Sequence, residues 1–310
     1  MIFNDNKNNQ NPHSSAYFGD YRDFWWNRNF IELMVRRWQL DQKSSLLDVG
    51  CGLGHWVRLL FPYLSSEAKI VGVDREKLWV DQAKEIFAKE YPQVPVERYQ
   101  FIVGDTYNLP FDDNCFDVVT CQTVIMHLEK PLEGLAEMLR VTKKGGLLIC
   151  VEPENIFNTL NFSSLTYKYP VETIVKLFEF WLRYEKGKIN LGEGNNSIGG
   201  LVPGFFSQIG LSDIKVYLSD KASPMFPPYN TQEQLISIEQ NKTWYREFKG
   251  SWNCEEVKKY YLASGASEKD FNESWNIMKI LYKDYNQAIS ESSLYSGGGG
   301  VCYLVSARKP

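Results

Sequence analysis

The 310-residue chain is short of the residues that build metal sites and disulfide frameworks. It has only three histidines and six cysteines: Cys51, Cys115, Cys121, Cys150, Cys254 and Cys302. None of the cysteines forms a Cys-x-x-Cys pair, which removes the usual zinc-ligand spacings. Cys121, Cys150 and Cys302 sit inside apolar runs, where cysteine behaves as a small hydrophobe. That usage suits a reducing compartment, and no metal is expected. Long apolar stretches are also missing; none approaches the ~20 residues that span a bilayer. The polar first ten residues lack the basic-then-apolar order of a secretory signal, so a cytoplasmic protein without a membrane span is expected. Positive charge is scarce too. With 34 Lys and Arg against 38 Asp and Glu, the net charge is −4, and no cationic field is available for a phosphate backbone. Lys143-Lys144 and Lys258-Lys259 are isolated pairs that read as solvated surface, so no nucleic-acid partner is expected.

What the chain does have is apolar material, 44% of its residues, and a regular alternation of short strand-like and helix-like segments. Residues 1–44 read as a polar tail followed by an aromatic helical segment, in which Phe30, Leu33, Met34 and Trp38 recur at helical spacing. Strand patterns follow at 45–49, 69–73, 96–103, 116–121 and 146–151. Helix patterns lie between them at 54–64, 77–90 and 132–141. Short apolar strands separated by helices imply a doubly wound α/β domain with a parallel sheet covered on both faces, here residues 45–152. The pattern then changes. Residues 153–198 read as a helical insertion around a helix at 171–184, and 199–220 as a helix–strand return to the sheet. Residues 221–296 read as a second helical insertion with an apolar stripe along 271–289. Residues 297–310 supply a last strand. The two insertions are expected to cap a pocket.

Candidate binding residues collect where the strand patterns end. The first strand runs into Asp48-Val49-Gly50-Cys51-Gly52-Leu53-Gly54, and the glycines permit positive φ and close approach of a ligand to the backbone. A helix starts directly afterwards, presenting free N–H groups to the same place. The dinucleotide fingerprint G-x-G-x-x-G would need glycine where His55 stands. The pattern is D-x-G-x-G-x-G instead, and a carboxylate before the first glycine suits a ligand that carries an ammonium group. Asp74 ends the second strand, where a carboxylate accepts from both hydroxyls of a ribose or else caps the next helix. Asp105, in Gly104-Asp105-Thr106 at the end of the third, either accepts from an adenine amine or caps a turn. Three such landmarks at the carboxyl ends of successive strands mark the binding edge of an open α/β sheet.

Residues 46–56, 71–75, Gly104-Asp105-Thr106-Tyr107-Asn108-Leu109-Pro110-Phe111, 116–128 and Arg140-Val141-Thr142-Lys143-Lys144-Gly145-Gly146-Leu147 resemble the successive motifs of class I S-adenosylmethionine-dependent methyltransferases. They are most similar to the group that methylates ubiquinone, menaquinone and sterols. The resemblance covers 45–152, and 199–218 more loosely. It departs at Lys144, where that group has proline, and at the two insertions. It implies a Rossmann-like seven-stranded sheet and S-adenosyl-L-methionine as cofactor, with S-adenosyl-L-homocysteine as product. The cofactor set it implies is Asp48, Gly50, Cys51, Gly52, Gly54, Asp74 and Arg75, with Asp105 and Thr106 beside the adenine and Gln122 and Thr123 near the methyl group.

Methyl transfer from a sulfonium is an in-line displacement, and a base is needed only when the nucleophile must lose a proton. His127, after the fourth strand, is the candidate base, with Glu152 at the tip of the fifth strand as its acidic partner. The alternative is that His127 caps the turn before Pro131 and Glu152 ends its strand. Tyr17, Tyr21, Trp25 and Trp26 either close over the cofactor as a lid, with ring faces toward the sulfonium, or pack the leading helix onto the sheet. The expected acceptor is a small molecule methylated on oxygen, nitrogen or carbon, conceivably in secondary metabolism. The alternatives are a protein acceptor and a non-catalytic scaffold that retains the fold.

Overall fold

The computed structural model describes residue 22 and residues 24–160, 162–245 and 253–310. Seven strands form one sheet: β1 (Ser45–Val49), β2 (Lys69–Asp74), β3 (Tyr99–Val103), β4 (Phe116–Gln122), β5 (Thr142–Pro153), β6 (Ser212–Leu218) and β7 (Cys302–Arg308). Their order is β3-β2-β1-β4-β5-β7-β6. The first five run parallel, in registers that pair Asp48 with Gly72 and with Thr120, and Gln122 with Val151.

Helices cover both faces of this sheet, which is why its strands read as near-continuous apolar runs. Successive strand residues point to opposite faces. Leu46, Ile70, Val118 and Ile149 pack beneath α1 (Arg28–Trp38), α2 (His55–Leu60) and α3 (Lys77–Glu90). Their neighbours Leu47, Val119 and Leu148 pack beneath α4 (Pro131–Val141) and α6 (Val202–Gln208). The end of α4 is finished from a distance. Lys309 Nζ donates to the carbonyls of Leu139, Arg140 and Thr142 at 2.8, 3.0 and 2.8 Å. A cation there complements the negative end of the helix dipole.

The strands expected to be parallel within residues 45–152 are so, and the sheet as a whole is mixed because β7 runs antiparallel to both β5 and β6. The reason is connectivity: β6 ends at the same edge as β5, the second insertion stays at that edge, and β7 must start there and run back. The helix expected at 54–64 stops at Leu60 and continues as a 3-10 turn, Phe61–Tyr63, because Pro62 has no N–H to donate. The strand expected from Val96 begins at Tyr99, after a 3-10 turn over Val96–Arg98.

Both insertions therefore rise from the carboxyl edge of the sheet. The first carries α5 (Val171–Asn190), and the second carries α7 (Gln232–Tyr245), α8 (Cys254–Ala263) and α9 (Glu268–Ser290). They share a core of their own, in which Leu177, Phe180 and Tyr184 meet Val257, Tyr260, Tyr261, Phe271, Trp275 and Met278. Where α5 crosses α8, a Cβ on Gly187 would lie 1.6 Å from the Tyr260 carbonyl oxygen. Gly187→Ala is thus expected to force the two helices apart and destabilise the fold by roughly 1–3 kcal/mol, the usual cost of overpacking. Denaturant unfolding followed by circular dichroism measures this, and an unchanged midpoint would show that the contact does not carry the cap.

Candidate functional site

The strand tips converge at the point where the sheet order reverses, between β1 and β4, which is where open α/β sheets bind ligands. The turn after β1 is left-handed at Gly50, Gly52 and Gly54, with φ of 67°, 52° and 73°. Side chains are excluded there for space as well as for backbone geometry: a Cβ on Gly50 would lie 2.5 Å from Val124 Cγ2 in the loop after β4. The turn is tied to β2 by Cys51 N–H donating to the Val73 carbonyl at 2.9 Å, and by Gly52 N–H donating to Asp74 Oδ2 at 2.9 Å.

Within this cradle Asp48 is 1% exposed, and its Oδ2 accepts no hydrogen bond from the described residues. Burial pushes its carboxyl well above the usual range; the Val57 N–H opposes the shift and the charge of Asp74 adds to it. Leaving a buried acceptor unsatisfied costs roughly 1–3 kcal/mol, which a cationic or N–H ligand group would recover. Asp74 Oδ1 accepts from Glu76 N–H at 2.9 Å. Each of its oxygens keeps a lone pair for a further donor. Asp105 is exposed in a tight turn, its Oδ1 accepting from Tyr107 N–H at 2.9 Å, and Thr106 lies against α4 beside Gly134. Gln122 is 6% exposed with Nε2 unpartnered among the described residues, and Thr123 has a strained φ of 55°. Cys51 is buried, and burial together with Asp48 and Asp74 keeps it a thiol. Arg75 differs from the rest of the set: its side chain is 81% exposed and pairs with Glu76.

Of the aromatic segment, Tyr17 and Tyr21 lie outside the described residues. Trp25 stacks under the Arg22 guanidinium at 4.6 Å. Trp26 packs on the sheet-side core, 5.5 Å from the Trp56 ring and stacked on Phe30. A residue that the sequence reading used only as a missing glycine stands between these groups. The His55 imidazole lies against the Gln122 side chain and the Arg22 backbone, while burial, then Arg22 and Arg58, lower its pKa to about 3.

His127 is exposed on the turn after β4. Glu152 is fully buried, and its bonds go to that turn's backbone: Oε1 accepts from Val124 and Ile125 N–H at 2.9 Å each, and Oε2 from Met126 N–H at 3.3 Å. Its carboxylate anchors the loop on which His127 sits, a role the sequence reading did not anticipate. The first insertion meets the same loop. Asn195 N–H donates to the Met126 carbonyl at 2.8 Å, and Gly194 packs so closely that a Cβ would lie 2.1 Å from that oxygen. Ser197 Oγ accepts from Ile156 N–H at 2.9 Å, so residues 194–197 lie across the tips of both β4 and β5. The run Gly192-Glu193-Gly194-Asn195-Asn196 is a turn signal after a long helix, but its target is set by tertiary structure alone.

Burial, against the opposing backbone bonds, pushes the Glu152 carboxyl up from 4.5 to about 7. A folded-state pKa above the unfolded one means that the stabilising proton is bound below pH 4.5 and lost as pH rises through 7. His55 has the opposite sign, its depressed pKa favouring the folded state as pH rises from 3 to 6.5. Denaturant unfolding of the protein and of Glu152→Gln across pH 4–8 separates the two. The stability advantage of Glu152 over Gln is expected to shrink between pH 4.5 and 7, and parallel profiles would refute the anchoring carboxyl's titration.

Comparison with known proteins agrees with this geometry. Residues 47–150 match the family model described as a methyltransferase domain. An uncharacterized methyltransferase of Schizosaccharomyces pombe is 38% identical over 117 residues, 37% of this chain and 42% of that protein. Demethylmenaquinone methyltransferase of Staphylococcus epidermidis is 30% identical over 155 residues, 49% of this chain and 60% of that one. The chain thus spans about half the length of the relatives it matches. Among solved structures, the YcgJ protein of Bacillus subtilis aligns with a TM-score of 0.51 at 18% identity, over 91% of this chain and 99% of that chain. A Bacillus halodurans protein aligns with a TM-score of 0.51 at 17% identity, over 92% and 100%. These last two likenesses speak for the fold. With Asp48, the three glycines and Asp74 standing at its strand tips, the segment 47–150 is a methyltransferase domain of the S-adenosylmethionine-dependent class.

Proposed function

We propose that the whole chain transfers a methyl group from S-adenosylmethionine to oxygen, nitrogen or carbon of a small molecule. The observation that carries the cofactor side is the buried, unpartnered Asp48 Oδ2 inside a glycine cradle beside Asp74. In this reading Asp48 would face the cofactor's ammonium group, directly or through water, and Asp74 would accept from the ribose hydroxyls. Asp105 and Thr106 would flank the adenine, and Gln122 Nε2 would donate into the same cleft. When bound, the cofactor supplies an electrophilic methyl on a positively charged sulfur.

The small-molecule part of the reading is supported by the position of the insertions. Both rise from the sheet edge that carries the cofactor residues, and residues 194–197 already lie over the tips of β4 and β5. A floor of strand tips under a helical cap excludes water and holds two reactants in line, which is most of what a methyl displacement requires. Glu152 acts in this reading through the 124–126 backbone rather than by orienting His127. His127 is the residue able to take a proton from an acceptor hydroxyl or amine.

Three measurements test these statements. Calorimetric titration with S-adenosylhomocysteine should show binding, and Asp74→Asn should weaken it at least tenfold, about 1.4 kcal/mol. Absence of heat with the unaltered protein would favour a scaffold that only keeps the fold. Incubating a cell extract with radiolabelled S-adenosylmethionine and the protein should put label in the low-molecular-weight fraction; label confined to protein would transfer the reading to a protein acceptor. With the labelled acceptor in hand, His127→Ala should lower kcat about 10²-fold or more at neutral pH if His127 is the base. Turnover near that of the unaltered protein would remove it from the chemistry.

A further inference from the structure

The turn that carries Asp105 and Thr106 has little structure of its own. Asn108 N–H closes it on the Asp105 carbonyl at 3.0 Å, and Gly104 N–H ties its first end to the Asp74 carbonyl at 3.0 Å. The second end is held by one face of α4, where Gly134, Glu137 and Arg140 follow at three-residue spacing. Glu137 Oε1 accepts from Leu109 N–H at 2.8 Å, and Arg140 Nη2 donates to the Leu109 carbonyl at 3.0 Å, so both backbone groups of Leu109 are taken by this pair. Arg140 Nη1 donates to the Phe111 carbonyl at 2.8 Å, and the Arg140 carbonyl accepts from Asn114 N–H at 3.0 Å. The two side chains are locked to each other by a two-point guanidinium–carboxylate bond, 2.8 Å on each arm. One turn earlier, Gly134 lets α4 approach so closely that a Cβ there would lie 3.2 Å from Thr106 Cγ2 and 2.6 Å from Leu128 Cδ1. Tyr107 reaches back from the loop, its hydroxyl accepting from Lys130 N–H at 3.1 Å.

We propose that Glu137 and Arg140 are positioning residues for cofactor binding, forming a clamp on residues 109–114 that holds Asp105 and Thr106 in place for the adenine ring. This rests on the reading of the cleft as a site for S-adenosylmethionine. Neither residue touches the ligand; they act by fixing the far end of the loop before the ligand arrives, so that binding does not have to order it. The planar fork of Arg140 reaches Leu109, Phe111 and Glu137 at once, which a lysine ammonium on a flexible stem cannot do. Asp113, 68% exposed and paired with Arg140 from the solvent side, is not needed for the clamp.

Calorimetric titration of S-adenosylhomocysteine, well below the melting temperature of each variant, tests this. Glu137→Gln, Arg140→Met and Arg140→Lys are each expected to raise Kd about tenfold, ~1.4 kcal/mol, while Asp113→Asn changes it less than twofold. A pair that only stabilised the fold would lower the melting temperature and leave Kd of the folded protein unchanged; that result, or full affinity in Arg140→Lys, overturns the proposal. Should Arg140→Met fail to fold, Glu137→Gln and Arg140→Lys carry the same comparison. Absence of binding by the unaltered protein overturns the cofactor reading itself, and the clamp with it.

Discussion

A carboxylate, Asp48, is held out of water at the end of β1 with one oxygen unpartnered among the described residues, and the arrangement around it follows from tolerating that group. An unsatisfied buried acceptor persists only where the surrounding structure is too stiff to collapse onto it. Stiffness here comes from a sheet packed on both faces. It comes also from glycines that bring the β1 turn against Val124, and from Asp74 holding Gly52 in place. Gln122 Nε2 is likewise buried without a partner among the described residues.

The sheet was legible in the sequence because both of its faces are buried. Residues 45–49 show this: Leu46 and Leu47 serve opposite cores, so neither could be polar, and the strand stands out as an apolar run between turns. The turn after β1 was legible because positive φ at three alternate positions strongly favours glycine, a preference written directly in residue type. The insertions were only partly legible. The stripe of α9 showed, since Phe271, Trp275 and Met278 bury one face. α7 did not, because its apolar residues do not form one stripe, and α8 offers only Val257, Tyr260 and Tyr261 to the core.

What the sequence could not show were the partners of individual polar groups. Glu152 looked like an acid at a strand tip; its use as an acceptor for three backbone N–H groups depends on how the next loop turns. His55 looked like the residue that excludes a dinucleotide. Its contact with Gln122 and the Arg22 backbone depends on the N-terminal segment returning across α2. Lys309, near the chain's end, finishes α4 from roughly 170 positions away in sequence. Such pairings are long-range, and no local pattern encodes them.

The two sides of the cleft are built separately and meet in one loop. The strand-tip side belongs to residues 45–152 and is braced by α4, which holds the loop after β3 through Glu137 and Arg140. The other side belongs to the insertions, whose shared core lies apart from both sheet cores. Gly194 and Asn195 join the halves by pressing on the Met126 carbonyl, in the loop that Glu152 anchors from below. Three N–H bonds to a buried carboxylate make that loop hard to displace. Gln122 pairs with Val151 and Thr123 N–H donates to the Val151 carbonyl, so the end of β4 is tied to β5 independently of the insertions. In the proposed function, such a core would fix the cofactor chemistry and leave acceptor choice to the insertions.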